Sequence, residues 1–369
     1  MKQRLHVILI FVLFAFCASL FSQQKADRFP LKFEEDLIIK SSDPNNIYSF
    51  FASGLEVDSK GNIYVLDSYD KKILKFNKSG KYLKAFGGEG QGPGEFESVT
   101  NIEIDKQDNI YVQDIVRMAL VVFDSNGVFR KNIRGTGIFY FSSDFMVGPS
   151  GHIYCGYQPL QSIGTKNIYY ISMFDQDMNY LLNIYKKEGV ILQYSVKTSS
   201  GSYSFLSPRY TPNVVWTMNP EGRIFISYND SYKISIFSRE GDFIKTISRD
   251  ISPEKVTAEE KSQIRQEFEK RHPGLSKYVK FYNTKPHILR LTIVDNYLFA
   301  LKKREDYDYY CDVFDVEGNF IDEVVLKFYP MISKKGYVYT IRFEYDGPRD
   351  AGNIIDSYIV RYKIIGLKK

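Results

Sequence analysis

Apolar positions in this chain come in short runs separated by polar turns that contain Gly or Asn, and the arrangement recurs six times. The clearest copy, GNIYVLDSYDKKILKFNKSGKYLKAFG over residues 61–87, holds three runs with strand character. DNIYVQDIVRMALVVFDSNGVFRKNIRG repeats it from residue 108, and further copies begin at residues 151, 222, 296 and 335. An apolar run ahead of the unit, GLEVD (54–58) or NIEID (101–105), supplies a fourth strand. Four antiparallel strands per unit, repeated radially, predict an all-β fold, a six-bladed β-propeller, with seven blades as the weaker alternative. The turns agree: Ser59-Lys60-Gly61-Asn62, Lys78-Ser79-Gly80, Ser125-Asn126-Gly127 and Glu317-Gly318-Asn319 place Gly or Asn where tight hairpins need positive φ.

The sixth unit shows only three strand patterns before Lys369, whereas Leu31 to Lys40 (LKFEEDLIIK) is a strand pattern without a unit of its own. It is expected to be the outer strand of the last blade, closing the ring and covering strand edges. One helical insertion is expected at about residues 252–274. Ser252-Pro253-Glu254 and then Thr257-Ala258-Glu259-Glu260 offer capping chemistry, and Pro273-Gly274 stops it. Val256, Ile264 and Phe268 fall near one side, which suggests a surface helix resting on the rim by an apolar stripe, with a lid over a central pocket as the sharper alternative.

Gly61-Asn62-Ile63-Tyr64-Val65 followed by Asp67, then Ile73-Leu74-Lys75-Phe76 and Gly80, resembles an NHL repeat. The run FGGEGQGPGEF from Phe86 to Phe96 has the same resemblance as a link into the next blade. Units one and two match closely, and the later four keep the skeleton but lose the Asp after the second strand. The resemblance, to six-bladed propellers of the NHL-repeat and TolB-like type, implies the fold over most of the chain. It selects no function, because such propellers serve as enzymes, receptors and scaffolds. The glycine run is not a dinucleotide loop, since Pro93 stands where the third Gly would be and no helix follows.

Lys2 and Arg4, the uncharged apolar run Val7 to Phe16 and the small residues Ser19 and Ser22 read as a secretory signal peptide over residues 1–22, leaving one propeller domain over 23–369. That run is too short for a membrane span of roughly 20 residues. Lipoprotein anchoring through Cys17 is disfavoured by the large Phe16 before it. An exported protein, periplasmic or extracellular, is therefore expected. Without residues 1–22 the chain has 47 basic and 44 acidic residues, which gives no reason to expect a nucleic-acid partner. Cys155 and Cys311 lie in strand patterns of different units and are expected as buried free thiols.

Strand alternation places A–B and C–D turns on one rim, with strands lettered from the centre outward, and B–C turns and D–A links on the other. The first class is uniformly tight. The second carries the insertions, at 157–166, 187–212, 249–286, 302–308 and 344–356. Long loops on one rim of a rigid scaffold are where binding resides. The leading expectation is a non-catalytic binder of a protein, peptide or glycan, contacted by Tyr69, Arg117, Tyr210, Tyr232, Arg304, Tyr307 and Arg349. The rival is a hydrolase or lyase with a channel metal, of lactonase-like or amidating-lyase-like type. Glu56 and Glu103 align on the inner strands and are the weak metal candidates, but Met146 and Thr217 fill the same slot in units three and four. Calcium requires six to eight oxygens, and none of the four His lies on an inner strand. No cofactor and no catalytic set is expected.

Overall fold

The computed structural model describes residues 29–42, 48–134, 139–159, 167–190, 194–197, 203–305, 307–346 and 354–366. Six four-stranded antiparallel sheets follow one another along the chain. Blade 1 runs Ala52–Val57, Ile63–Asp67, Lys72–Phe76 and Tyr82–Gly87, and blade 2 runs Val99–Ile104, Ile110–Asp114, Ala119–Phe123 and Phe129–Arg134. Blade 3 has Phe139–Val147, Ile153–Pro159, Asn167–Phe174 and Tyr180–Val190. Blade 4 has Val214–Met218, Ile224–Tyr228, Lys233–Phe237 and Phe243–Ser248, and blade 5 has Arg290–Val294, Tyr297–Glu305, Asp308–Asp315 and Phe320–Leu326. Blade 6 is assembled from both ends of the chain: Ile332–Lys334, Tyr337–Tyr345 and Ile354–Ile365, with Lys32–Ile39 as its outer strand.

That outer strand pairs antiparallel with Ile354–Ile365 from Lys32↔Ile365 to Ile39↔Ile359, with a bulge between Glu35 and Leu37. Leu31 and Ile39 are buried at its two ends. Arg361 grips Asp36 with two hydrogen bonds, of 2.9 and 3.0 Å, and Phe33 meets Phe328 edge-on at 5.4 Å.

The core is a ring of six clusters, one at each junction between blades. Tyr64, Leu66 and Ile73 of blade 1, for example, pack on Ile102, Val112 and Phe123 of blade 2. Each blade therefore has both faces covered, which is why Ile63–Asp67 and Ala119–Phe123 are buried at every position and read as continuous apolar runs. Cys155 and Cys311 are buried free thiols.

The A–B turns repeat one device. Asp58 Oδ1 accepts the backbone N–H of Lys60 (2.9 Å) and Asn62 (2.8 Å), and its Oδ2 accepts the Asn62 amide (2.7 Å) and the Tyr64 hydroxyl (3.1 Å). Gly61 holds φ +85° in that turn. Asp105, Asn109 and Tyr111 repeat the pattern in blade 2. Such side-chain-to-backbone bonds favour turns over strand continuation.

The rim of insertions differs in detail from the expectation. The charged link of blade 5 is shorter than expected: strands B and C extend past the core and pair as far as Glu305↔Asp308. The link after blade 3 continues strand D to Val190 and then forms a separate hairpin, Tyr194–Lys197 with Tyr203–Leu206. The helix, α1, spans Ala258–Arg271 and begins with the second of the two capping signals: Thr257 and Glu260 make a reciprocal capping box. Ser252-Pro253-Glu254 precedes it as non-helical chain. No residue of α1 is buried, so the expected apolar stripe is only half-covered, at Ile264 and Phe268. The ranges 160–166 and 347–353 lie outside the described residues, as do the expected signal peptide and Cys17.

Candidate functional site

Buried polar side chains at the ends of the B strands shape the insertion-bearing rim. In blade 1, Asp67 Oδ1 accepts the backbone N–H groups of Tyr69 (3.0 Å) and Asp70 (3.1 Å). In blade 2, Asp114 accepts from the N–H groups of Glu97 (2.7 Å), Val116 (3.2 Å) and Arg117 (3.1 Å). In blade 4, Asn229 bridges Asn213 N–H and the Ile288 carbonyl, each at 2.7 Å. The Asp after the second strand is thus a turn organiser. With the backbone held from within, turn side chains are driven outward: Tyr69 is 84% exposed, Val116 59% and Met118 52%.

The structure sorts the seven sequence candidates differently. Tyr69 is exposed, as are Arg304 and Tyr307 at the end of the blade 5 hairpin. Tyr210 is half-buried in a left-handed turn (φ +59°), with the Lys285 ammonium 5.9 Å from its ring centroid. Arg117 turns inward: its guanidinium donates to the carbonyls of Glu95 and Gly90, both at 2.9 Å, and clamps the glycine-rich link. Tyr232 is only 3% exposed and donates its hydroxyl to Asp312 at 2.5 Å, so it belongs to the core between blades 4 and 5. These two are corrections to the expected rim contacts. Arg349 lies outside the described residues.

Residues the sequence reading passed over fill part of the gap. Ile115, Val116 and Met118 sit in a tight turn between Asp114 and Ala119, and Ile354 and Ile355 begin the third strand of blade 6; all are exposed. Phe51, in the link entering blade 1, meets Phe343 of blade 6 at 6.2 Å. Three apolar side chains in one four-residue turn were the available signal, since turns ordinarily carry polar residues.

In the channel, Glu56 and Glu103 stand on neighbouring inner strands, and Lys334 of blade 6 reaches across to donate to the Val57 carbonyl. Enclosure by the channel wall pushes the Glu56 carboxyl up to about 7, against the opposing pull of Lys334. Glu103 is raised well above the usual range, by burial first and by Glu56 second. Among the described residues no group of three or more His, Cys, Asp or Glu is placed to hold a metal ion. The pair instead makes stability depend on pH. A carboxyl raised in the folded state favours folding fully below its ordinary value near 4.5, and that contribution is lost as pH rises through about 7. Glu56→Gln is expected to remove its share of the loss, stabilising the protein at pH 8 by on the order of 2–3 kcal/mol and weakening the pH dependence of the urea midpoint. A variant whose midpoint follows pH as the native protein's does would contradict this.

The two long insertions join into a single cap. Arg209 N–H donates to the Lys280 carbonyl (2.8 Å) and the Arg209 carbonyl accepts from Tyr282 N–H (3.0 Å). The Tyr194 hydroxyl donates to the Tyr278 carbonyl (2.6 Å) and accepts from Lys280 N–H (3.0 Å). Segments about 70–85 residues apart in sequence therefore form one body beside blade 4.

Six four-stranded antiparallel sheets closed by an N-terminal strand define a six-bladed β-propeller. The chain belongs to the family DUF5128, described as 6-bladed beta-propeller, whose profile matches residues 55–321. No curated protein matches it in sequence. Among solved structures it is similar to a putative exported protein of Bacteroides fragilis, at 14% identity and TM-score 0.55, over 93% of this chain and 97% of that one. A DUF4221 family member of Bacteroides vulgatus follows at 10% identity and TM-score 0.52, over 92% of this chain and 100% of that one. At such identities the likeness is one of fold alone.

Proposed function

We propose that the protein is an exported, non-catalytic propeller of the NHL-repeat type that binds a partner on its insertion-bearing rim, across blades 6, 1 and 2. One observation carries this reading: Tyr69, Val116, Met118 and Ile355 (61% exposed) project from that rim on neighbouring blades. Exposed apolar groups gathered on one face mark interaction sites, and of protein, peptide and glycan they suit a protein best. On the opposite rim the exposed Phe243 and Phe320 lean on rings of their own hairpins, Phe237 and Phe314, both at 5.7 Å, while Leu83, Val128, Leu181 and Ile244 are exposed singly at the starts of outer strands. Export is supported by the pattern of residues 1–22 and by the similar Bacteroides fragilis protein described as putative exported. No helix among the described residues is long and apolar enough to cross a membrane.

The test is a rim variant, Tyr69→Ser with Val116→Ser and Ile355→Ser. Exposed changes of this kind usually cost under about 0.5 kcal/mol each, so the fold should hold. Binding to the partner captured from the exported fraction should fall at least about tenfold, the loss of roughly 1.4 kcal/mol expected when central apolar contacts go. Charge reversal at Lys78 and Lys81 on the opposite rim should leave binding unchanged. The reverse outcome would mean that the other rim binds.

A further inference from the structure

We propose that the cap holds a second ligand site, separate from the apolar rim, which takes a carboxylate carried on an apolar group. The site is a cleft of about 400 Å³ between the hairpin of the first insertion and the C-terminal half of α1. Leu206, Phe268, Leu275 and Val279 give it apolar walls, and Arg209 and His272 supply its charged and polar groups.

Three features point to an anion. Arg209 is exposed, its guanidinium carbon lies 5.4 Å from the Phe268 ring centroid, and no carboxylate among the described residues pairs with it. A guanidinium held over a ring and left without a carboxylate partner can still offer its N–H groups to a planar two-oxygen acceptor. The Arg209 backbone is fixed on both sides, by Lys280 and Tyr282, so a ligand has only side-chain freedom left to freeze.

Several carboxylates of the cap are also already engaged. Glu269 accepts the backbone N–H groups of Gly274 (2.6 Å) and Ser276 (3.2 Å). Glu260 serves the helix cap and Lys285, at 2.6 Å from the latter. Glu267 accepts from Gln263 at 3.1 Å. The cations Lys270, Arg271, Lys277 and Lys280 remain exposed around the cleft end of α1. These cations offset the negative dipole end of α1 and attract an incoming negative charge, and the walls favour an apolar body beside it.

A carboxylate of this kind comes either from the C-terminus of a peptide or from a free small acid. Calorimetry with the tripeptide Ala-Ala-Phe, its C-terminal amide and phenylacetate separates the two. The free tripeptide should bind saturably, the amide at least tenfold more weakly. Arg209→Met and Ser207→Trp, the latter filling the cleft, should each abolish binding while leaving the melting temperature unchanged. Phenylacetate binding as tightly as the tripeptide supports the site with a small acid as its ligand; a requirement for the peptide backbone supports it with a chain terminus. The proposal is overturned if native protein binds neither acid, if the amide binds equally well, or if both variants bind like the native protein. Rim variants at Tyr69, Val116 and Ile355 should not affect this binding, so its failure and that of the partner surface are distinguishable.

Discussion

Deletion of residues 23–41 is expected to lower the unfolding free energy by several kcal/mol, a large share of the roughly 5–15 kcal/mol typical of a folded domain. The strand Lys32–Ile39 contributes a full ladder to Ile354–Ile365, buries Leu31 and Ile39 at its ends and holds Asp36 against Arg361. Each buried aliphatic side chain alone is worth about 1.5–3 kcal/mol. Its loss also leaves Ile354–Ile365 as a long unpaired edge with exposed Ile354 and Ile355 nearby, a template for association. Urea unfolding should show the lower midpoint, and size-exclusion chromatography should show oligomers. A truncated monomer with the native midpoint would falsify this account of closure.

Asp312→Leu should destabilise the protein by about 3–5 kcal/mol, the range for removing one partner of a buried charge cluster. Asp312 is fully buried on strand C of blade 5 and is bound from three directions. Lys302 lies 2.8 Å from Oδ1, while Arg249 and the Tyr232 hydroxyl both reach Oδ2. Burial and the neighbouring carboxylate push the Tyr232 hydroxyl far up, so it remains a donor at every ordinary pH. Lys302 keeps a second partner in Glu323 at 2.7 Å, but Arg249 has no comparable replacement among the described ion pairs. Adding Arg249→Met and Lys302→Met to Asp312→Leu should restore much of the lost stability, because well-packed apolar groups substitute for a buried ion cluster. A single variant within about 1 kcal/mol of the native protein, by chemical denaturation, would show that the cluster is solvated rather than buried.

The blades were legible because their strands are covered on both faces. Continuous apolar runs such as IYVLD and ALVVF, set beside tight turns such as Asp58-Ser59-Lys60-Gly61-Asn62 and Asp124-Ser125-Asn126-Gly127, announce themselves at a fixed spacing. The closing strand was legible by elimination, since Lys32–Ile39 had no unit of its own. Side-chain direction at the rim was less so. Tyr232 and Tyr69 both occupy B–C turns, yet one points to Asp312 eighty residues away and the other to solvent. The local signal was the alternation: Tyr232 stands in phase with buried Ile234 and Ile236, whereas Tyr69 sits mid-turn. Lys302 to Asp308 read as a loop because it is charged, but a two-stranded ribbon standing clear of the core tolerates charge on both faces. The cap was hidden for a third reason: its main-chain bonds, from Arg209 to Lys280 and Tyr282, join two segments with no shared pattern.

The pairing of Lys32 with Ile365 puts the start of the first strand and the end of the last side by side at one end of the same ladder. A pull that separates the two termini loads that ladder as a zipper, breaking one rung at a time from Lys32↔Ile365 towards Ile39↔Ile359, and never as a lap joint in which all rungs share the load. The seam that sets the ring's resistance to heat and urea is therefore its weakest point under tension. A tether at one terminus combined with drag on the other would open blade 6 first, while the main-chain stitch between the links on either side of blade 4 holds that part of the ring together.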